Sequence, residues 1–399
     1  MASRDVMTTE HSTTRRTLAV ILLTRIALNL QTRVVYPFLP AISRGLGISL
    51  ETAGLLMTAR SAVAATSPLY GFLSDHYGRR ALMLTGLVAL VAGAALIGVA
   101  PTLGLALVAF ILMGLSKASY DPAMLAYVGD AVPYARRGRV FGLLELSWAL
   151  SWLIGVPAAG FLIAAAGWRA PFWAIAGLGV IGLIATWRCC PTFNRPRQAA
   201  VSPHHPWKLR RAPWLSRATV MALAISMLLV MANENVFIVY GAWMEDQFGL
   251  AVSALGVASI VISLAELVAE SSSAGLVDRL GKRRAVLGGL LLNVLAYLLL
   301  PRIAGTLAGA LAGVTLTFLT FEFSIVSMIP LVSELAPETR GTVMALNVAG
   351  MAAGRAISSL IGPRVWAVGE LPLNAAVSAG FVLLASVVLW VGVRDTVTG

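Results

Sequence analysis

Gly71-Phe-Leu-Ser-Asp75-His-Tyr-Gly78-Arg79-Arg80 returns later in the chain as Ala274-Gly-Leu-Val-Asp278-Arg-Leu-Gly281-Lys282-Arg283. Asp75 and Asp278 stand 203 positions apart. A second match keeps that spacing: Asp130-Ala-Val-Pro133 followed by Arg137-Gly138 is echoed by Glu334-Leu-Ala-Pro337 followed by Arg340-Gly341, and the two Arg-Gly steps are again 203 apart. Two agreeing matches at one offset mark a duplicated unit. Between the copies, Pro191, Pro196, Pro203, Pro206 and Pro213 fall among Lys and Arg residues, a composition suited to a solvated linker. The chain therefore divides into a first bundle (1–187), a basic linker (188–216) and a second bundle (217–399).

Composition says what solvent surrounds those bundles. Of the 399 residues, 58% are hydrophobic and only 12% charged, and the mean hydropathy is +0.83. A soluble fold cannot hide that much apolar surface. Apolar runs of about 20 residues, enough to cross about 30 Å of hydrocarbon, recur along the whole chain. Hydropathy predicts twelve spans, near 17–42, 50–73, 81–99, 103–127, 140–163, 171–187, 217–244, 252–277, 285–300, 305–332, 342–366 and 373–393. The stretch Met1 to Arg16 precedes an apolar run too long for a signal-peptide core and lacks a small-residue cleavage site, so it is expected to remain attached to the first span. The fold class is an all-α membrane protein: two pseudo-symmetric six-helix bundles.

The net charge of +12 is not a nucleic-acid signal. Arg15 and Arg16, Arg79 and Arg80, Arg136 to Arg139, the 188–216 segment and Lys282 to Arg284 all fall at one end if the helices alternate, while loops such as Ala100 to Gly104 and Glu245 to Ser253 are neutral or acidic. Positive-inside topology then places both termini in the cytoplasm of a multi-pass protein in the cell inner membrane. Cys189, Cys190, His204 and His205 cluster in or beside the linker without a metal-site pattern. No cofactor or metal is expected. Gly177-Leu-Gly179-Val-Ile-Gly182 has dinucleotide-loop spacing but sits inside an apolar helix with no preceding strand, and no nucleophile with a base is visible, so enzyme chemistry is not expected.

The repeated loop resembles the signature of the major facilitator superfamily, approximately Gly-x-Leu-Ala/Ser-Asp-Arg/Lys-x-Gly-Arg-Arg/Lys, with His76 the one departure in the first copy. The resemblance covers essentially the whole chain and implies a secondary transporter that works by alternating access. It also implies a conformational latch at Asp75, Gly78, Arg79, Arg80, Asp278, Gly281 and Lys282. Gly155-Val-Pro157-Ala-Ala-Gly160 is similar, in interrupted form, to a stretch of the family's drug/proton antiporters. Phe110, four residues before Gly114, stands where proton-coupled members usually carry Arg.

Ionisable groups inside a span are costly and mark candidate sites. Arg25, Asn29, Thr32, Arg33 and Tyr36 share one stripe of the first helix at 100° per residue, with Arg25 and Arg33 about 12 Å apart along the axis. Arg60 and Arg355 sit deep in the second and eleventh spans, and Lys117 and Asp121 form an i,i+4 pair in the fourth. With Tyr120 and Asn235 these make the candidate solute lining: Arg25, Asn29, Arg33, Tyr36, Arg60, Lys117, Tyr120, Asn235 and Arg355. The second half carries acids in its spans: Asn233-Glu234-Asn235 in the seventh, Glu266 and Glu270 in the eighth, and Glu322 in the tenth. Asp121, Glu234 and Glu322 are the candidate proton carriers, because a carboxylate in low dielectric takes up a proton far more readily than one in water. Glu145, Trp148 and Trp152 share a face of the fifth span, an aromatic wall for an amphiphile or ordinary packing.

The expected partners are a small-molecule solute, protons and the bilayer, with no nucleic acid, and a monomer is expected. Proton-coupled export of an amphiphilic organic solute is the leading expectation. The cationic stripe also fits uptake, exchange or flipping of an organic anion or anionic lipid. A non-transporting sensor on the same scaffold is the alternative of another class.

Overall fold

The computed structural model describes residues 2–192, 216–335 and 339–392, apart from the side chains of residues 2–15, 134, 135, 138, 274 and 278. Among these residues there are helices and no strands. In chain order they are α1 (Ala2–Arg33), α2 (Val35–Leu46), α3 (Leu50–Ala64), α4 (Ser67–Tyr77), α5 (Arg79–Val99), α6 (Leu103–Ala131), α7 (Tyr134–Leu150), a π turn (Ser151–Gly155), α8 (Val156–Ala166), α9 (Ala170–Cys189), α10 (Arg217–Phe237), α11 (Tyr240–Phe248), α12 (Val252–Ala258), α13 (Ile260–Leu280), α14 (Lys282–Ile303), α15 (Leu307–Glu334) and α16 (Arg340–Gly392).

Nine of the described helices, some of them broken, are long and apolar enough to cross a bilayer, and α1 with α2 makes a tenth, bent by 56°. Two more crossings follow from chain breaks. The 53-residue α16 would be about 80 Å long if straight, but it breaks at Gly369 and at Glu370, whose φ is 49°. Beyond the break Asn374 donates to the Gly362 carbonyl at 3.1 Å, so the chain has doubled back. The pair α3 and α4 runs from Leu50 to Tyr77 with an interruption at Ala65 and Thr66. Twelve crossings result, as hydropathy predicts.

Where helix ends differ from the sequence reading, local chemistry gives the reason. The first helix begins at Ala2, not near residue 17. The bend after Arg33 precedes a segment holding Pro37 and Pro40, which remove backbone donors. The span containing Pro157 bulges through the π turn just before that proline. Thr102 and Thr306 cap α6 and α15 from matching places in the two copies, each accepting from a first-turn amide.

The duplication is visible in the loops as well. Gly78 and Gly281 sit at φ 97° and 82°, the left-handed region that glycine tolerates. After the first, Arg79 pairs with Asp75 in its own loop and with Asp130 at 3.5 Å; after the second, Lys282 pairs with Glu334, the counterpart of Asp130. Arg80 then donates to the Trp187 carbonyl and Arg283 to the Trp390 carbonyl, two donors and two acceptors each 203 residues apart.

Helix α5 packs between α6 and α9 in the first copy, and α14 packs against α15 and α16 in the second. Between the copies, α3 lies against α16, α8 against α12 and α2 against α11. These seams need small residues. A Cβ on Gly241 would stand 2.2 Å from the Pro37 carbonyl oxygen, one on Gly54 2.6 Å from that of Ser359, and one on Gly160 3.0 Å from that of Val252. The polar contacts described across the seam run from mid-depth to the end away from the basic loops. There Arg44 grips Glu245 with two hydrogen bonds, at 2.7 and 3.2 Å.

Candidate functional site

Charged side chains from both copies meet at mid-length of their spans. Arg33, at the bend between α1 and α2, reaches across the seam to Glu266 of α13 at 2.8 Å, both side chains largely buried. Its guanidinium lies over Trp148 at 4.5 Å and over Trp152 at 4.9 Å. A second cation meets the same ring, because Lys117 stands 4.4 Å from the Trp148 centroid. Lys117 pairs with Asp121 at 2.8 Å and donates to Asn29 at 2.8 Å, and Asn29 in turn donates to Ser147 at 3.0 Å. Arg25 pairs with Glu145 at 2.9 Å. Of the first-helix stripe, Arg25 is thus paired by α7, Arg33 by α13, and Asn29 is held between α6 and α7.

A second group lies beside the first. The Tyr36 hydroxyl donates to Glu234 at 3.0 Å and Ser359 donates to the other Glu234 oxygen at 2.6 Å. Arg60 reaches the same hydroxyl at 3.5 Å and the Thr32 carbonyl at 3.4 Å. Tyr36 stacks on Phe237 with centroids 4.3 Å apart, and Phe318 meets Phe237 edge-on at 4.9 Å. Phe237 and Phe318 also line a small cavity with Asn233, Val236, Tyr240, Tyr297, Val314 and Thr317.

Two ionisable residues stand apart from these networks. Arg355 makes no hydrogen bond or ion pair among the described residues, yet it lies within electrostatic reach of Tyr36, Glu234 and Glu322. Glu322 likewise has no direct partner among them and feels Glu266, Arg33, Glu270 and Arg355. Both are partly accessible despite their depth.

Two sequence candidates are placed elsewhere. Tyr120 is fully buried and donates to Thr24, tying α6 to α1. Asn235 is fully buried and donates to the Asn374 carbonyl and to Ser378, tying α10 to α16. Each spends its donor within helix packing and presents no surface to a solute. Among the latch residues, Asp75, Gly78, Arg79, Arg80, Gly281 and Lys282 form the loop contacts given above, and the Asp278 side chain lies outside the described residues. Glu145 and Ser359 are the partners that the sequence candidates lacked. The only available signal for Ser359 was its position four residues after Arg355 on the same helix face.

A model of the Major Facilitator Superfamily matches residues 21–232 and 222–399. The chain belongs to the Major Facilitator Superfamily. This superfamily member is 26% identical over 331 residues to the uncharacterized MFS-type transporter YceJ of Bacillus subtilis (strain 168), an alignment covering 83% of this chain and 84% of that one. It is 26% identical over 277 residues to the class C tetracycline resistance protein of Escherichia coli, covering 67% and 69%. Its fold is shared with a crystal structure of a D-xylose-proton symporter at a TM-score of 0.77 and 17% identity, over 96% of this chain and 98% of that one. It is therefore a multi-pass membrane transporter of the secondary type, and its fold and relatives are those of transporters, not enzymes.

Proposed function

We propose that this chain is a proton-coupled transporter of an amphiphilic organic solute, which crosses through the cleft between the two copies as they rock about it. The basic loops and both termini then face the cytoplasm. The observation that carries the reading is Glu322: a partly accessible carboxylate in mid-span, without a direct partner among the described residues, and within reach of the Arg33–Glu266 pair that spans the seam. Proton exchange at such a group changes the charge beside a cross-seam ion pair, which is a means of biasing one closure of the cleft over another. Of the rings gathered here Trp148 keeps accessible surface, which it can offer to the apolar body of the solute.

The sign of coupling separates two directions. Export needs solute and proton to exclude each other, and the name of the tetracycline resistance relative supports it; uptake needs them to load together, and the unpartnered Arg355 supports that. Proteoliposomes with a lumenal pH dye, challenged with a panel of aromatic carboxylates, amines and neutral amides, distinguish them by whether the solute carries protons in with it or drives them out. In Glu322→Gln we expect solute accumulation under a pH gradient to vanish while solute–solute exchange persists. Undiminished accumulation in that variant removes Glu322 from the coupling.

A further inference from the structure

The cleft's charges do not cancel group by group. Arg25 is engaged by Glu145, Lys117 by Asp121 and Arg33 by Glu266. Arg60 and Arg355 remain. Arg60 has only neutral acceptors, the Thr32 carbonyl and the Tyr36 hydroxyl, both at 3.4 Å or beyond. Arg355 has none among the described residues and keeps accessible surface. Glu234 lies within electrostatic range of both arginines, yet its two oxygens are taken by the hydroxyls of Tyr36 and Ser359. Against two such cations the buried part of the site offers Glu234 and Glu322, the third nearby acid, Glu270, being exposed, so a proton on Glu322 leaves one positive charge in excess there.

We infer that this excess is the seat of an acidic headgroup: a carboxylate or sulfonate of an organic monoanion, held by Arg355 with Arg60 behind it, and loaded in the same state as the proton on Glu322. The inference rests on the transporter reading and names its solute class. A guanidinium presents a planar fork of donors that matches two oxygens of a carboxylate, and Arg355 is the one such fork in the cleft with no described acceptor. The linkage to Glu322 is electrostatic. That carboxylate lies within electrostatic reach of Arg33 of α1, Glu266 and Glu270 of α13 and Arg355 of α16, and Glu234 of α10 is within reach of the same Arg355. When ionised, Glu322 competes with the solute for the field of Arg355; when protonated, it releases that field.

The test uses the full-length protein in lipid nanodiscs and pairs of probes that differ only in charge, such as 2-naphthoate with 2-naphthamide and indole-3-acetate with its amide. Binding is followed by calorimetry. At about pH 6 we expect at least one carboxylate to bind about tenfold or more tighter than its own amide, the scale of a charge-assisted hydrogen-bond pair. Arg355→Gln should bring that ratio to near one, and Arg355→Lys should leave an intermediate value because it keeps the charge but loses the fork. Glu322→Gln should bind the carboxylate at about pH 8 as well as the unaltered protein does at about pH 6.

Equal affinity for every carboxylate and its amide in the unaltered protein overturns the inference, and so does the absence of carboxylate binding. Retention of the full preference in a folded Arg355→Gln overturns the assignment to Arg355. A pH dependence unchanged in Glu322→Gln overturns the shared loading. Because the probe comparison is made first on unaltered protein, a misfolded variant does not rescue the idea. Carboxylate binding without flux in proteoliposomes would leave this site standing and sink the transport reading, whereas flux of amides alone would do the reverse.

Discussion

The Arg33–Glu266 pair is the most consequential residue-scale contact, because it is largely buried and joins the two copies. Removing one member strands a charge in low dielectric, a cost of about 3–5 kcal/mol in comparable buried pairs. Arg33→Ala and Glu266→Ala should each lower the thermal midpoint of detergent-solubilised protein. The double replacement Arg33→Met with Glu266→Met should recover most of that loss and still fail to couple transport to protons. A double variant no more stable than the singles would show that the pair contributes by packing and not by charge. The sequence made both residues conspicuous as charges in apolar helices, and spacing alone identified the Lys117–Asp121 pair. It did not make Arg33 and Glu266 partners, since they lie 233 positions apart and no local periodicity relates them. The same limit hid Glu145 from Arg25 and Ser359 from Glu234, and it made Tyr120 and Asn235 look like lining when tertiary packing buries them and takes up their donors.

At the scale of elements, the glycines on the seam decide how closely the copies approach. Gly241 has no room for a methyl group against the Pro37 backbone, and the obstacle is a main-chain carbonyl that cannot swing aside as a side chain would. Gly241→Ala should therefore wedge α2 from α11 and shift the protein toward conformations open at that end. Spin labels on Thr102→Cys and Gly305→Cys, in a background with Cys189 and Cys190 replaced by Ser, should show the shorter inter-label distances depopulated; an unchanged distribution would mean the helices slide instead of parting. Hydropathy located the spans to within a few residues because lipid imposes a minimum apolar length. Their interruptions at Val34, at Ala65 and Thr66, and at the Ser151–Gly155 π turn each fall shortly before a proline, Pro37, Pro68 or Pro157, but a proline alone does not say whether a helix bends, breaks or bulges, so hydropathy passed over them.

The molecule as a whole is two versions of one unit, and the proposed division at the 188–216 linker has a direct check. Co-expressed segments 1–200 and 201–399 should copurify and support transport, and segments that fail to associate would argue that the copies fold only as one chain. Within each copy, Arg80→Ala and Arg283→Ala should loosen their own half, seen as faster hydrogen exchange at the end of α9 or of α16 respectively, without changing the other half. Both arginines donate to main-chain oxygens, at Trp187 and Trp390. An acceptor supplied by the backbone belongs to every amino acid, so the side chain at either tryptophan position can drift without undoing the clasp. Ancestry preserved in this way outlasts residue identity: two descendants of one gene segment can lose nearly all their common letters and still be buckled at the same two points.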